Sequence, residues 1–137
     1  WAATAWAHIY WGDVTKAELC LDVAERLSPL DPFHYLLQTA RASALLQTGR
    51  YEEAVAQARA ANASNPAFET SLQFLIASLA ELGRIDEARA ALAQLRAVAP
   101  HMDLAFLRQA LPFRPKARMD SFIAALARAG MPERASS

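Results

Sequence analysis

The strongest constraint on the fold is a six-residue block that recurs 34 positions later in the chain. Residues 49–54 read GRYEEA and residues 83–88 read GRIDEA, and Pro66 and Pro100 each follow the block's glycine by 17 residues. A fixed period of this length indicates stacked units, each of which buries its apolar face against its neighbours. The sequence therefore predicts a repeat array.

A further copy of the pattern precedes these two. Gly12 is followed by Ala17 and, at the same 17-residue distance, by Pro29. This glycine lies 37 residues before the next one, and the three extra residues fit in the turn at 28–32. We therefore expect three units, with an insertion after the first.

The residue types at the repeated positions suit a helix–turn–helix unit. Glycine adopts positive φ and ends the first helix, and acidic residues in the next turn stabilise the N-terminus of the second helix. A small side chain five residues after the glycine lets the two helices approach, and proline closes the unit. The small residues are Ala17, Ala54 and Ala88, and the first-turn acids are Glu52, Glu53, Asp86 and Glu87.

The amino-acid composition favours helices and gives little support for strands. Alanine, the strongest helix former, accounts for 32 of the 137 residues, whereas the β-branched Val and Ile together number eight. The pattern predicts helices over 1–11, 13–28, 32–48, 51–64, 67–82, 85–98, 104–110 and 115–129, with Asp31 and Asp103 as N-caps and Pro32 at a first helical position.

These features resemble the tetratricopeptide repeat family over roughly residues 1–100. Trp1 stands 11 residues before Gly12, where the family often has Trp, whereas Gln38 and Arg41 replace bulky apolar residues in the second unit. The third unit fits best, through Leu72, Leu75, Leu79, Gly83, Ala88, Leu92, Leu95 and Pro100.

The resemblance implies an all-α, right-handed α-solenoid with a C-terminal two-helix cap. Its domains are three units at 1–29, 30–66 and 67–100, the first truncated at its N-terminus, followed by capping helices and a tail at 101–137. The chain begins with Trp within an amphipathic pattern, so we expect a fragment of a longer protein.

The tail resembles the C-terminal region of multidomain bacterial regulators. The segments Leu111–Phe113 and Ala129–Glu133 carry this resemblance, with an amphipathic helix between them. In those regulators a repeat array follows a class III adenylate/guanylate cyclase or a winged-helix DNA-binding domain. The resemblance implies a non-catalytic protein–protein interaction scaffold in a signalling or transcription-regulatory protein, with a dimerisation or small-molecule-sensing role as alternatives.

No catalytic, metal or cofactor site is expected within the chain. His8, His34 and His101 lie in different units without a matching ligand motif. The single Cys20 allows no internal disulfide, and we interpret it as a small buried residue. The fragment carries no enzyme motif, although the longer protein can be a nucleotide cyclase.

The resemblance also implies a concave groove, lined by the first helix of each pair, that holds a protein or peptide segment. None of its residues is Lys, Arg or Asn, so we expect a neutral, partly apolar occupant rather than a carboxylate-ended chaperone tail. Carried over by spacing to the glycines, the groove residues are Trp6, Ile9, Tyr10, Leu36, Thr39, Ser43, Leu46, Gln47, Thr70, Gln73, Ala77 and Glu81.

Two interpretations of the aromatic cluster Trp1, Trp6, Tyr10 and Trp11 stay open: packing in the core and exposure in the groove. The net charge of zero divides into −3 before His101 and +3 from it onward, without interleaved aromatics, so nucleic-acid binding is not expected. No charge-free stretch is long enough to span a bilayer. We expect the cytoplasm, or the periplasm if a membrane span precedes the fragment.

Overall fold

The computed structural model describes residues 14–27, 34–110 and 116–135, and these form seven helices and no strand. The prediction of an all-α repeat stack is thereby confirmed. The predicted helix over 1–11, Gly12 and the cap at Asp31–Pro32 lie outside the described residues. The helices are α1 (Val14–Leu27), α2 (His34–Gln47), α3 (Tyr51–Ser64), α4 (Glu69–Glu81), α5 (Ile85–Val98), α6 (Leu104–Ala110) and α7 (Lys116–Arg128).

The repeated glycines end their helices as expected. Gly49 and Gly83 have φ of 77° and 76°, a left-handed conformation that costs glycine little. After α2, the backbone N–H of Arg50 donates to Leu45 at 2.9 Å and that of Gly49 donates to Leu46 at 3.2 Å. This pair of bonds is the Schellman motif, which satisfies the last carbonyls of a helix and reverses the chain.

Small residues allow the helices of the stack to lie close together. Ala17, Ala54 and Ala88 are fully buried, as their position after each repeat glycine predicted. The helices α2 and α3 pack against each other, as do α4 and α5, while α3 and α4 join one pair to the next. The core therefore runs along the stack between successive pairs, as expected for a solenoid.

Helix α4 is buried on every side. All ten residues at 71–80 are buried, within a stretch that carries no charge. A helix that is apolar all round belongs in a core rather than on a surface. Its two serines donate to nearby backbone carbonyls: Ser78 Oγ donates to Phe74 O at 2.7 Å, and Ser71 Oγ donates to Phe68 O, just before the helix, at 2.9 Å.

The arginine of each repeated block forms ion pairs between neighbouring helix pairs. Arg84 binds Glu87 in its own helix α5 and reaches Glu52 of α3 at 3.4 Å. Arg50 likewise binds Glu53 at 2.7 Å and reaches Glu18 of α1 at 3.4 Å. These pairs are solvent-exposed, and ion pairs in such surroundings contribute little to stability.

The departure from the repeat pattern at Arg41 has a structural reason. Its guanidinium, which is 22 % exposed, binds Asp22 at 2.9 Å and Glu25 at 2.6 Å. Both carboxylates lie on α1, so Arg41 joins α2 to the preceding helix where an apolar residue would otherwise pack. The residue at this position therefore still connects α2 to α1, but through ion pairs instead of apolar packing.

The two C-terminal helices cover the third pair. Asp103 caps α6, as predicted, by accepting a bond from the Phe106 backbone N–H at 2.7 Å. The chain after α7 returns to this cap, where Leu104 N donates to Pro132 O at 3.1 Å and Ala105 N donates to Glu133 O at 3.1 Å. No helix in the described parts of the chain is long and apolar enough to cross a membrane.

Candidate functional site

A cavity of about 500 Å³ lies between helices α2 and α4 on one side and α7 on the other. Ligand sites in proteins are concave, mostly apolar and of this size, with a few polar groups that orient what binds. The lining residues are Leu46, Gln47, Tyr51, Ala77, Glu81, Ala117, Arg118, Ser121, Phe122, Ala124, Ala125 and Arg128.

Four of the predicted groove residues meet at this cavity. Leu46 and Gln47 come from the end of α2, and Ala77 and Glu81 come from α4. Leu46 is partly buried and packs against the core, and the Glu81 side chain is 25 % exposed. The first helices of the second and third pairs therefore supply one wall together.

Helix α7 supplies the other wall by packing on α4. Its buried residue Phe122 is 5 % exposed and lies against Phe74, with ring centroids 5.6 Å apart and tilted by 56°. Two arginines then fasten the helix near its ends. Arg118 donates to Gln47 Oε1 of α2, and Arg128 donates to Glu81 Oε1 of α4 at 2.6 Å.

A phenol and a carboxylate meet at one edge of the cavity. Burial raises the pKa of Tyr51, and the negative charge of Glu81 and its hydrogen bond to the phenol raise it further. The positive charge of Arg128 acts in the opposite direction. Tyr51 therefore remains a neutral hydrogen-bond donor at physiological pH, beside a carboxylate already engaged by Arg128.

Three predicted groove residues are buried. Thr39 and Ser43 are fully buried, and the Thr39 hydroxyl donates to Tyr35 O at 2.8 Å. Ser43 Oγ accepts a bond from Gln47 Nε2 at 3.2 Å. Gln73 is 4 % exposed, and its amide contacts Met102 Sδ. The spacing rule placed these residues on the groove side of their helices, but in the structure all three are buried.

A second, smaller cleft of about 300 Å³ holds the remaining residues predicted from α4. Thr70 and Gln73 line it together with Phe106 of the short helix α6. The predicted groove residues of α4 therefore line two separate cavities. Leu36 is half-buried on α2 and lines neither cavity, whereas Trp6, Ile9 and Tyr10 lie outside the described residues.

The other candidate residues show no reactive arrangement. Cys20 is a free, buried cysteine, as its interpretation as a small core residue predicted. His101 is exposed, His34 is half-buried, and His8 lies outside the described residues. Within residues 14–27, 34–110 and 116–135, no three His, Cys, Asp or Glu side chains form a group that could hold a metal ion.

The sequence analysis missed the two cavity arginines. Both lie among the residues from His101 onward that carry the net charge of +3, and no cation is among the predicted groove residues. In the structure, α7 brings both side chains to the cavity. A signal was present: the amphipathic pattern of the tail helix needed an apolar surface to cover, and the charge-free α4 offered one.

Comparison with known protein families gives a match over most of the chain. The family described as bacterial transcriptional activator domain matches residues 2–127, which is nearly the whole chain. No curated protein and no solved structure gives a significant match. The chain therefore belongs to the bacterial transcriptional activator domain family, a tetratricopeptide-like helical domain of bacterial transcriptional regulators.

Proposed function

We propose that this domain is a non-catalytic module that binds a protein segment in the cavity between α2, α4 and α7. The segment comes from another domain of the same regulator or from a second protein. The observation that carries the proposal is the cavity itself, which joins apolar side chains such as Leu46 and Ala117 to the polar groups of Gln47 and Glu81.

The physical logic is that of helix-in-groove recognition. Apolar side chains of the occupant displace water from Leu46, Ala117 and Ala124, and this burial supplies affinity. The polar groups at the ends of the cavity then select the register of the occupant. A regulator uses such a site to couple a partner's presence to the state of its output domain.

The wider setting belongs to the same proposal. The repeats at 1–29, 30–66 and 67–100 and the cap at 101–137 form the C-terminal regulatory part of a larger bacterial protein. Its output domain is a winged-helix DNA-binding domain, which the match to transcriptional activators favours, or a class III adenylate cyclase. The sequence upstream of Trp1 distinguishes these two architectures.

The test is selection of binders from a displayed library of random peptides about 15 residues long, enough for four helical turns. The target is the intact 137-residue chain. We expect enriched peptides to bind the native chain and to lose at least about tenfold in affinity for Leu46→Glu, since a charge in the apolar wall opposes burial.

A matched control uses the same substitution at an exposed leucine. Leu19 on α1 is 61 % exposed and lies outside the cavity, so Leu19→Glu leaves peptide binding unchanged. Circular dichroism verifies that both variants keep their helical content. Enriched peptides that bind Leu46→Glu and the native chain equally refute the groove.

A second candidate function is sensing of a small molecule, which the cavity volume of about 500 Å³ favours. A rise in melting temperature with one member of a metabolite panel, abolished by Leu46→Glu, supports it. Without such a rise, the peptide-binding proposal stands alone.

Self-association of the chain into a homodimer is measured by sedimentation at several concentrations.

A further inference from the structure

We propose that the segment bound in the cavity combines apolar side chains with at least one carboxylate, and that Arg118 receives that carboxylate. This inference rests on the proposed groove and specifies the chemistry of its occupant. It replaces the neutral occupant expected from the sequence, because that expectation counted the first helices of the pairs and not α7.

Arg118 carries the argument because its charge is not neutralised. It lines the cavity, it is half-buried, and its hydrogen-bond partner is the neutral amide of Gln47. No carboxylate pairs with it among the residues that the structure describes. A guanidinium has five N–H donors, so the bond to Gln47 leaves donors for a bidentate carboxylate.

The second arginine differs in this respect. Arg128 pairs with Glu81 at 2.6 Å, so its charge is already compensated. The ionic groups of the cavity are therefore two cations and one anion, with the unpaired cation near Gln47. A partner segment with an acidic residue at this end complements the cavity in charge, whereas a basic segment is repelled.

The apolar walls distinguish this occupant from nucleic acid. Leu46, Ala117 and Ala124 share the cavity with Arg118 and are accessible to solvent. Among the described lining residues the aromatic rings are Tyr51, which is partly buried, and Phe122, which is buried. A phosphate backbone needs several cations that track it and bases need stacking platforms. One free guanidinium in an apolar cleft suits a peptide carboxylate better.

The experiment compares peptide pools selected in parallel on the native chain and on Arg118→Gln. The native pool is expected to be acidic and apolar, and its members to bind about fivefold to tenfold more weakly to Arg118→Gln. Replacing the acidic residue of a selected peptide by its amide causes the same loss on the native chain and little further loss on Arg118→Gln. The matched control is Arg96→Gln on α5, which removes one exposed positive charge outside the cavity and leaves binding unchanged.

The outcomes separate the two proposals. Binders that depend on Leu46 but are neutral or basic, and that bind Arg118→Gln as well as the native chain, overturn the carboxylate inference and leave the groove intact. Failure to enrich any Leu46-dependent binder overturns both. Arg118-dependent binding of a DNA duplex without any such peptide assigns the charge to nucleic acid and also overturns the inference.

Discussion

The packing of α7 on α4 predicts a large loss of stability on truncating Phe122. Its ring is 5 % exposed and lies 5.6 Å from the ring of Phe74 between centroids. Removing a buried phenyl ring eliminates its transfer free energy and leaves a cavity, which together cost about 3–5 kcal/mol. For a chain of this size each kcal/mol lowers the melting temperature by about 4 °C, so Phe122→Ala melts about 12–20 °C lower.

The matched control is another phenylalanine in the same C-terminal region. Phe106 is 54 % exposed, so Phe106→Ala changes the free energy of unfolding by about 0.5 kcal/mol or less. Thermal and urea denaturation of both variants, followed by circular dichroism, provide the comparison. Similar losses for the two substitutions refute the docking of α7 on the groove wall.

A double-mutant cycle isolates the contact between the two rings. Phe74→Ala and Phe122→Ala each remove one partner, and the double variant loses less than the sum of the two single losses. The difference between the sum of the single losses and the loss of the double variant is expected to be about 0.5–1.5 kcal/mol, the range for an aromatic pair. Additive losses mean that the rings do not touch in solution and that α7 lies elsewhere.

Two further predictions concern the turn glycines and the cap of α6. Gly83→Ala destabilises the chain by about 1 kcal/mol in urea denaturation, because φ is +76° although nothing lies within 4 Å of the added Cβ. Gly83→Asn costs less, because asparagine adopts positive φ more readily than alanine. Equal stability of Gly83→Ala and the native chain contradicts the turn geometry. The backbone N–H groups of Ala135 and Phe106 lower the pKa of Asp103 below its usual value of 3.8. The ionised group therefore stabilises the fold above that value, and this contribution disappears as the pH falls through the lowered pKa. The native chain should exceed Asp103→Asn in free energy of unfolding near neutral pH, with the difference vanishing in strong acid; a difference independent of pH contradicts the cap geometry.

Much of the fold could be predicted because the signals that start and end helices are local in sequence. The helices over 51–64, 85–98 and 104–110 have the predicted bounds. Helix α4 begins two residues later and ends one residue earlier than predicted, and α2 ends one residue earlier. Glycine, proline and a capping aspartate determine where a helix stops or starts through bonds to nearby backbone. Such information lies within a few residues of each boundary.

The candidate site could be predicted only in part because half of it comes from distant sequence. Arg118 and Gln47 are 71 residues apart, and no repeat spacing relates them. The period itself explains why α7 cannot form a regular fourth unit. Counting 34 residues on from Gly83 and Ala88 gives Ala117 and Phe122, so the turn glycine is missing and a ring replaces the methyl group that nesting requires.

The complete burial of α4 has a consequence for any shortened version of this protein. Ending the chain before α7 would expose Phe74 and its neighbours along a helix that has no charged residue between positions 70 and 80. Exposed apolar patches of this kind promote aggregation. Expression boundaries drawn from the repeat period alone would leave this apolar face uncovered, and we expect the shortened chain to aggregate.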